Sequence, residues 1–440
     1  MSQTGQPPTI AVRGGRALCP GTSLWGPVDF LIEGGRITRL APPGDPLEAD
    51  HTIDASGMLI LPGLVDIHVH LREPGAEHKE TIATGTRAAL AGGFTTVCAM
   101  PNTTPAPDSP EHVAHIRALM QQRAWCRTRI IGAATVGNDR QRLTDFAALK
   151  AAGSVAISDD AFVLGTREHR REALLRCAEA GLKFIAHLED PELSAGGVMH
   201  EGSLSRRLGV PGQHPQAEVR CLEAWREAWD EPGPPPLHLA HVSTAATCAA
   251  LRDWRPGPTA ETAPHYLALT CEAVAEHGAN AKMNPPLRTE QDRQALLAAL
   301  RDRTITAIAT DHAPHTAGEK AAGLLDAPFG IVGLETALAV VLTEVVDAAG
   351  VNERTALGCL THGPADALGI EAGRLMVGGP ADLTGVDTEA RWTVDPERFA
   401  SLGRNTPFAG MQLRGQVDTV IAGGQVAVRG GRPAERPELE

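Results

Sequence analysis

The 440-residue sequence contains no run of 18 apolar residues and no C-x-x-C pair. A membrane-spanning helix is therefore not expected. The eight scattered cysteines indicate neither a disulfide framework nor a thiolate zinc site, and we expect them to be reduced and mostly buried. The first ten residues, MSQTGQPPTI, have no basic region followed by an apolar core, which predicts a cytoplasmic protein.

Positive charge is scarce, since 40 Lys and Arg residues accompany 53 Asp and Glu residues and the net charge is −13. This balance argues against nucleic acid and against anionic membranes as principal partners. A small acidic substrate would need local cations at its binding site. Apolar residues make up 42% and charged residues 21% of the chain, which is typical of a globular protein with a large core.

Strand-like and helix-like segments alternate over residues 59–369, the pattern of a parallel sheet with crossover helices. The eight candidate strands lie at residues 63–69, 94–99, 127–134, 154–158, 183–187, 237–242, 258–262 and 304–310. No glycine-rich phosphate loop follows an early strand, which disfavours a doubly wound open sheet. We therefore predict an α/β fold, a (β/α)8 TIM-like barrel.

The two ends of the chain have similar sequence patterns. Short strand-like runs are separated there by glycine pairs, such as Gly34-Gly35 and Gly423-Gly424. These runs are typical of hairpins. They predict a small β-sandwich domain formed from residues 1–58 and 370–440, with the barrel inserted between them.

Polar side chains follow the predicted strands at their carboxyl ends, where barrel enzymes collect their chemistry. His68 and His70 end the first strand two residues apart, so both imidazoles point to one face. The other candidates are Arg72 after strand one, Asn102 after strand two, Asp159 and Asp160 after strand four, His187 after strand five, His241 after strand six, and Asp311, His312 and His315 after strand eight.

Histidine and carboxylate ligands without thiolates suit zinc or manganese, so this rim predicts a hydrolytic site with one metal ion or two. Asp311 is our candidate for the group that takes a proton from water and gives it to a leaving nitrogen. Any single member of the set could instead be a satisfied core residue or a helix cap, above all Asp159 or Asp160.

The motifs at these strand ends resemble those of the type I dihydroorotases of the amidohydrolase superfamily, over essentially the whole chain. They are DIHVHLREPG at 66–75, KETIATG at 79–85, AGGFTTV at 91–97, MPNT at 100–103, HLED at 187–190, HVST at 241–244, NPPLR at 284–288 and ATDHAPH at 309–315. The resemblance implies the reversible, metal-dependent cyclisation of N-carbamoyl-L-aspartate to L-dihydroorotate in pyrimidine biosynthesis.

The resemblance also implies one or two zinc ions per subunit and a set of ligands. His68, His70 and Asp311 would hold one metal ion, and His187 and His241 the other. Asp160 would bridge them in place of the carboxylated lysine of many superfamily members, because relatives place the ligand second in the aspartate pair.

Substrate contacts are implied from Arg72, Asn102, Asn284 and His315. A guanidinium such as that of Arg72 can bind the substrate's α-carboxylate bidentately. Ala161 stands where relatives commonly have glycine, which affects the expected local turn.

Two other functions remain open at this point. A hydantoinase or related cyclic-amide hydrolase would normally have lysine at position 160, and a non-catalytic dihydroorotase-like subunit of aspartate transcarbamoylase would lack the metal histidines. We expect a homodimer and leave association with an aspartate transcarbamoylase open. The long connections at about 189–215 and 313–330 are expected to be functional, the second as a cover over the substrate or as a surface excursion.

Overall fold

A computed structural model of the protein describes residues 8–160 and 162–439; Ala161, where a local turn was in question, lies outside them. The middle of the chain forms eight parallel strands paired in sequence order. They are Leu64–Val69, Phe94–Ala99, Arg127–Ala133, Ser154–Ser158, Phe184–Ala186, Leu237–Leu239, Thr259–Thr262 and Ala307–Ile308. A parallel bridge between Val69 and His312 joins the last strand to the first. The predicted (β/α)8 barrel is confirmed.

The barrel strands read as apolar runs because crossover helices cover their outer side. The main helices are Ile82–Ala91, Pro110–Arg123, Phe146–Ala152, Arg167–Ala180, Ala217–Ala228, Ala245–Asp253, Glu290–Arg301, Glu353–Gly358 and His362–Leu368, together with Ala337–Val340 and its π-helical continuation Val341–Ala348. The Thr81 side chain caps the first helix by accepting a hydrogen bond from the backbone N–H of Thr84. Gly181 ends the fourth at φ 61°, in the left-handed conformation that glycine adopts readily at helix ends.

Two sheets are built from the ends of the chain. The four-stranded sheet contains Arg36–Ala41, Asp29–Glu33, Ile10–Arg13 and His51–Asp54, in that order. The seven-stranded sheet contains Arg432–Pro433, Gln425–Arg429, Gln412–Ala422, Leu383–Thr393, Leu59–Pro62, Arg16–Leu18 and Trp25–Pro27. Both sheets contribute to one apolar cluster that includes Phe30, Ile32, Ile60 and Ile421. The predicted sandwich from both termini is confirmed, and the exact limits of the two domains stay a prediction.

Two long connections carry short elements at the barrel mouth. Residues 189–215 contain the helices Pro191–Ser194 and Ser203–Leu208 and the paired strands Met199–His200 and Gly212–Gln213. Residues 313–330 contain the helices Ala317–Lys320 and Gly323–Asp326. Further short helices are Pro264–Ala268, Ala273–His277, Gly278–Ala281, Val136–Asn138 and Pro396–Arg398.

All eight cysteines are buried and none forms a disulfide. Within the described residues, no helix combines the length and the apolar character that a membrane span requires.

Candidate active site

The side chains predicted as metal ligands are buried together at the carboxyl ends of the barrel strands. The ligand atoms of His68, His70 and Asp311 lie within 4.8 Å of one another, and so do those of His68, Asp160 and His241. His70 Nε2 is 3.0 Å from Asp311 Oδ1. The barrel thus brings residues from strands one, four, six and eight to one point.

Asp160 lies between two groups of histidines. Its Oδ2 is 3.7 Å from His70 Nε2, and its Oδ1 is 3.4 Å from His187 Nδ1. A carboxylate whose two oxygens face different histidines is arranged to bridge two ligand sets. Asp159 points elsewhere, because its carboxylate accepts hydrogen bonds from the backbone N–H groups of His187 and Leu164. Of the two aspartates, Asp160 is the one that faces the cluster.

The charges of these groups favour a bound cation. Burial raises the pKa of Asp160, but His187 and His68 outweigh burial and hold that pKa well below its usual range. His68 has the same effect on the buried carboxyl of Asp311, whose pKa is also lowered. Burial lowers the pKa of His241 to about 3, so this imidazole is neutral. Two ionised carboxylates beside a neutral imidazole form a donor set that suits a divalent metal ion.

His68 shows most directly that the residues fit a metal ion. Its buried Nε2 forms no hydrogen bond within the described residues, and it faces Asp160 and Asp311 at 3.8 and 3.5 Å. Burial disfavours the charged imidazole, yet Asp311 and Glu261 raise the pKa of His68 to about 10. Positive charge is therefore stabilised at His68 Nε2, the atom that is available to bind a metal ion.

Backbone strain is concentrated at the same rim. Arg72, His241 and Asp311 have φ angles of 61°, 38° and 49°, in the left-handed region that side chains other than glycine rarely adopt. Each of them lies two or three residues after the end of a barrel strand. Such strain persists where surrounding contacts fix it, and it is common at functional sites.

Glu261, in strand seven, fixes the orientation of His68. Its Oε1 accepts a hydrogen bond from His68 Nδ1 at 2.7 Å, and its Oε2 lies 3.1 Å from His238 Nε2. All three side chains are fully buried. A carboxylate that holds the outer nitrogen of a histidine leaves the other nitrogen free to bind metal.

We expect Glu261→Gln to weaken metal binding about 10- to 100-fold, because the neutral amide no longer favours the required orientation and charge of His68. Competition with a chelator would measure the affinity. The same substitution at Glu172, which is exposed and paired with Arg176 on the helix Arg167–Ala180, serves as control. Equal affinities in the two variants would contradict the role of Glu261.

Three of the predicted substrate residues lie beside the cluster on one side. Arg72 Nη2 is 3.3 Å from His315 Nε2, and Arg72 Nε donates to the carbonyl of Pro314. Burial, Arg72 and other nearby cations lower the pKa of His315 to about 3, so its imidazole is neutral. Asn102 Nδ2 donates to the backbone carbonyl of Asp160 at 3.0 Å, and its buried Oδ1 has no hydrogen-bond partner within the described residues.

Asn284 lies on the other side, next to His187. Its Nδ2 donates to Glu189 Oε2 at 2.8 Å, and its Oδ1 accepts from Gln213 Nε2 at 2.9 Å. Glu189 Oε2 is also 2.8 Å from His187 Nε2. Our sequence analysis did not assign roles to Glu189, Gln213 or Glu261. Only Glu261 had a local signal, as a charged residue within a buried strand.

Comparison with known proteins identifies the family. Residues 57–223 match the family model described as Dihydro-orotase-like. A dihydroorotase of Bacillus caldolyticus is 45% identical over 398 residues, which cover 88% of this chain and 91% of that protein. The chain belongs to the dihydroorotase family. Another member, from Bacillus cereus, is 41% identical over 411 residues, or 91% of this chain and 94% of its own. Family membership identifies the protein as a cyclic-amide hydrolase.

Solved structures of similar fold are hydantoinases and dihydropyrimidinases. The L-hydantoinase of Arthrobacter aurescens has a TM-score of 0.85 at 23% identity and covers 97% of both chains. The dihydropyrimidinase of Brevibacillus agri has a TM-score of 0.83 at 22% identity, over 98% of this chain and 97% of its own. At such identities the likeness supports the shared barrel fold and not the substrate.

Proposed function

We propose that this protein is a dihydroorotase that interconverts N-carbamoyl-L-aspartate and L-dihydroorotate. The observation that carries the proposal is the buried cluster of four histidines and two aspartates with a half-buried arginine, Arg72, at its edge. Family members of up to 45% identity support the same activity.

We further propose that His68, His70, Asp160, His187, His241 and Asp311 hold one or two zinc ions. Nitrogen and carboxylate donors without thiolate fit zinc. A metal ion bound here lowers the pKa of water and polarises the substrate carbonyl. Since Asp160 faces both groups of histidines, this ligand set provides for two ions as well as for one.

Asp311 is proposed to move the proton. In ring opening, water adds to the ring amide carbonyl and the bond between that carbon and the ring nitrogen breaks. The nitrogen takes up the proton that Asp311 received from the water. The facing histidines lower the pKa of Asp311 despite its burial and keep its carboxylate ionised, which is the form that a proton acceptor requires. Ring closure reverses each step and releases water.

Arg72, Asn102, His315 and Asn284 are proposed to bind the substrate. Arg72 supplies the positive charge that an acidic substrate requires in a protein of net charge −13. The amide oxygen of Asn102, which has no hydrogen-bond partner within the described residues, can accept from the ureido N–H groups. Asn284, on the far side near His187, can orient the opposite end of the ring.

We expect Arg72→Met to raise the KM for L-dihydroorotate at least about tenfold while metal content stays unchanged, because a charge-assisted pair in a partly dehydrated site is lost. Steady-state kinetics with metal analysis of the same sample measures both. Arg171→Met, which removes an exposed arginine paired with Asp230, is the control. A wild-type KM in the Arg72 variant would exclude Arg72 from carboxylate binding.

We also propose that the protein belongs to the type I class and that it is a cytoplasmic homodimer. We propose that the barrel domain comprises residues 59–369 and that the sandwich domain comprises residues 1–58 and 370–440. Association with an aspartate transcarbamoylase can be tested by co-purification.

One experiment separates the candidate functions. Protein purified without added metal is analysed for zinc and assayed with L-dihydroorotate, N-carbamoyl-L-aspartate, hydantoin and dihydrouracil. Turnover of the first pair alone supports the proposal. Preference for hydantoin or dihydrouracil would identify a hydantoinase, and bound metal is not expected in a non-catalytic subunit.

A further inference from the structure

Residues 399–406 follow the barrel in the sequence and pack at the mouth of the barrel. They reach the seam between strands eight and one. Strand eight comprises only Ala307–Ile308, and a bridge between Val69 and His312 joins the segment that follows it to strand one. The segment that carries Asp311 and His315 begins at this seam.

Two carboxylates, one buried and one half-buried, anchor the first half of residues 399–406. Glu80, which is fully buried, accepts hydrogen bonds from Ser401 Oγ and from the backbone N–H of Leu402. Glu335 accepts from the backbone N–H groups of Ala400 and Ser401 at 2.9 and 3.1 Å. Both acids belong to the barrel, so the segment is fixed to the barrel rather than only to the terminal sheets.

Asn405 makes the contacts nearest to the active site. Its Oδ1 accepts from the backbone N–H of His315 at 3.1 Å, and its Nδ2 donates to the carbonyls of Ala313 and Gly330 at 3.1 and 3.0 Å. Its own carbonyl accepts from the N–H of Val332 at 2.9 Å. This buried side chain therefore holds both ends of the connection at 313–330.

The packing here leaves little room for displacement. A Cβ on Gly403 would lie 2.5 Å from Val332 Cγ1 and 2.8 Å from Pro314 Cβ. Gly330 has a φ of 127°, and a Cβ there would lie 2.6 Å from the Cβ of Ala313. Gly403 is thus in direct contact with both ends of the connection at 313–330, next to Pro314 and Val332.

We propose that Asn405 is a positioning residue for substrate binding: it fixes the His315 backbone so that the imidazole lies against Arg72, and it joins the two ends of the 313–330 connection. Only the expected change in KM rests on the proposed dihydroorotase function; the positioning of His315 by Asn405 does not. The three side-chain hydrogen bonds of Asn405 satisfy one buried N–H and two buried carbonyls, so their removal costs more than the loss of surface contacts would.

The test compares Asn405→Ala, Asn405→Asp and the control Leu402→Ala, whose side chain is 47% exposed in the same segment. Asn405→Ala is expected to raise the KM for L-dihydroorotate about tenfold with zinc content unchanged, and to speed amide hydrogen exchange at 313–330. Asn405→Asp keeps the acceptor for His315 but places an oxygen against two carbonyls, so it should accelerate exchange as well. Leu402→Ala should match the wild type in all three measurements.

Wild-type KM and wild-type exchange in the Asn405 variants would overturn the proposal, and so would a rise in KM that merely follows loss of zinc. If Asn405→Ala does not fold, Asn405→Asp decides by the same criteria. If the wild-type protein does not turn over L-dihydroorotate, the proposed function fails, while hydrogen exchange still decides the role of Asn405.

Discussion

Asp311→Asn is expected to lower turnover by about two to four orders of magnitude in both directions, the hydrolysis of L-dihydroorotate and the cyclisation of N-carbamoyl-L-aspartate. Asparagine has nearly the same shape but cannot accept and return a proton at neutral pH. The same carboxylate is proposed to serve as base in one direction and as acid in the other, so microscopic reversibility requires a loss in both. Turnover is measured at matched pH on protein of known zinc content.

Zinc content matters because Asp311 also lies 3.0 Å from His70 Nε2 and is a proposed ligand. The comparison is therefore made per bound zinc. Asp326→Asn, the same change on the exposed surface of the following connection, should leave both rates unchanged. If the Asp311 variant with full zinc occupancy were impaired in only one direction, the proton carrier would be another group.

The barrel and the convergence of its polar residues could be predicted because they follow from local rules. Strands buried on both faces give continuous apolar runs, as in Phe184–Ala186, and glycines mark the ends of helices, as at Gly181. Carboxyl ends of parallel strands share one rim, so residues as distant in sequence as His68 and Asp311 were expected together. The structure places His68 Nε2 3.5 Å from Asp311 Oδ1.

The residues that support this rim could not be predicted in the same way. Asn405 lies 90 positions from His315, and no periodicity connects a loop after the barrel with a strand end inside it. Glu261 contacts His68 across the barrel, a distance that depends on how the sheet closes. Gln213 donates to Asn284, which lies 71 positions further along the chain, so this contact depends on the tertiary path of the connection at 189–215.

The choice between Asp159 and Asp160 shows the same limit. Local sequence leaves both as candidates, and only the resemblance to relatives favoured the second. In the structure, the Asp159 carboxylate accepts hydrogen bonds from the backbone N–H groups of His187 and Leu164, while Asp160 faces the histidines. The orientation of two adjacent side chains at a strand end depends on tertiary hydrogen bonds rather than on residue type.

Asp160→Ala is expected to lose most bound zinc and nearly all activity, because no other carboxylate in the described residues lies between His70 and His187 as Asp160 does. Breaking a buried set of paired charges by removing one member leaves the others uncompensated. Zinc analysis and turnover of L-dihydroorotate measure the two losses. Glu189→Gln is a matched comparison, since it neutralises a carboxylate that contacts Asn284 and the outer nitrogen of His187 and should retain more zinc.

The wild-type protein should recover activity without bicarbonate, because the carboxylate that we propose as the bridge belongs to Asp160 and not to a lysine carboxylated by carbon dioxide. The lysines nearest to Asp160 in the sequence support this. Lys150 donates to the carbonyls of Ala180 and Gly181, and Lys183 precedes strand five, so both lie at the amino ends of the strands, opposite the metal ligands. The test is reconstitution of metal-stripped protein with zinc in carbonate-free buffer, with and without added bicarbonate. Equal recovery of zinc and turnover is the expected result, and in Asp160→Ala bicarbonate or short-chain acids should restore little. A strict bicarbonate requirement in the wild type would show that a carboxylated lysine, not Asp160, completes the site.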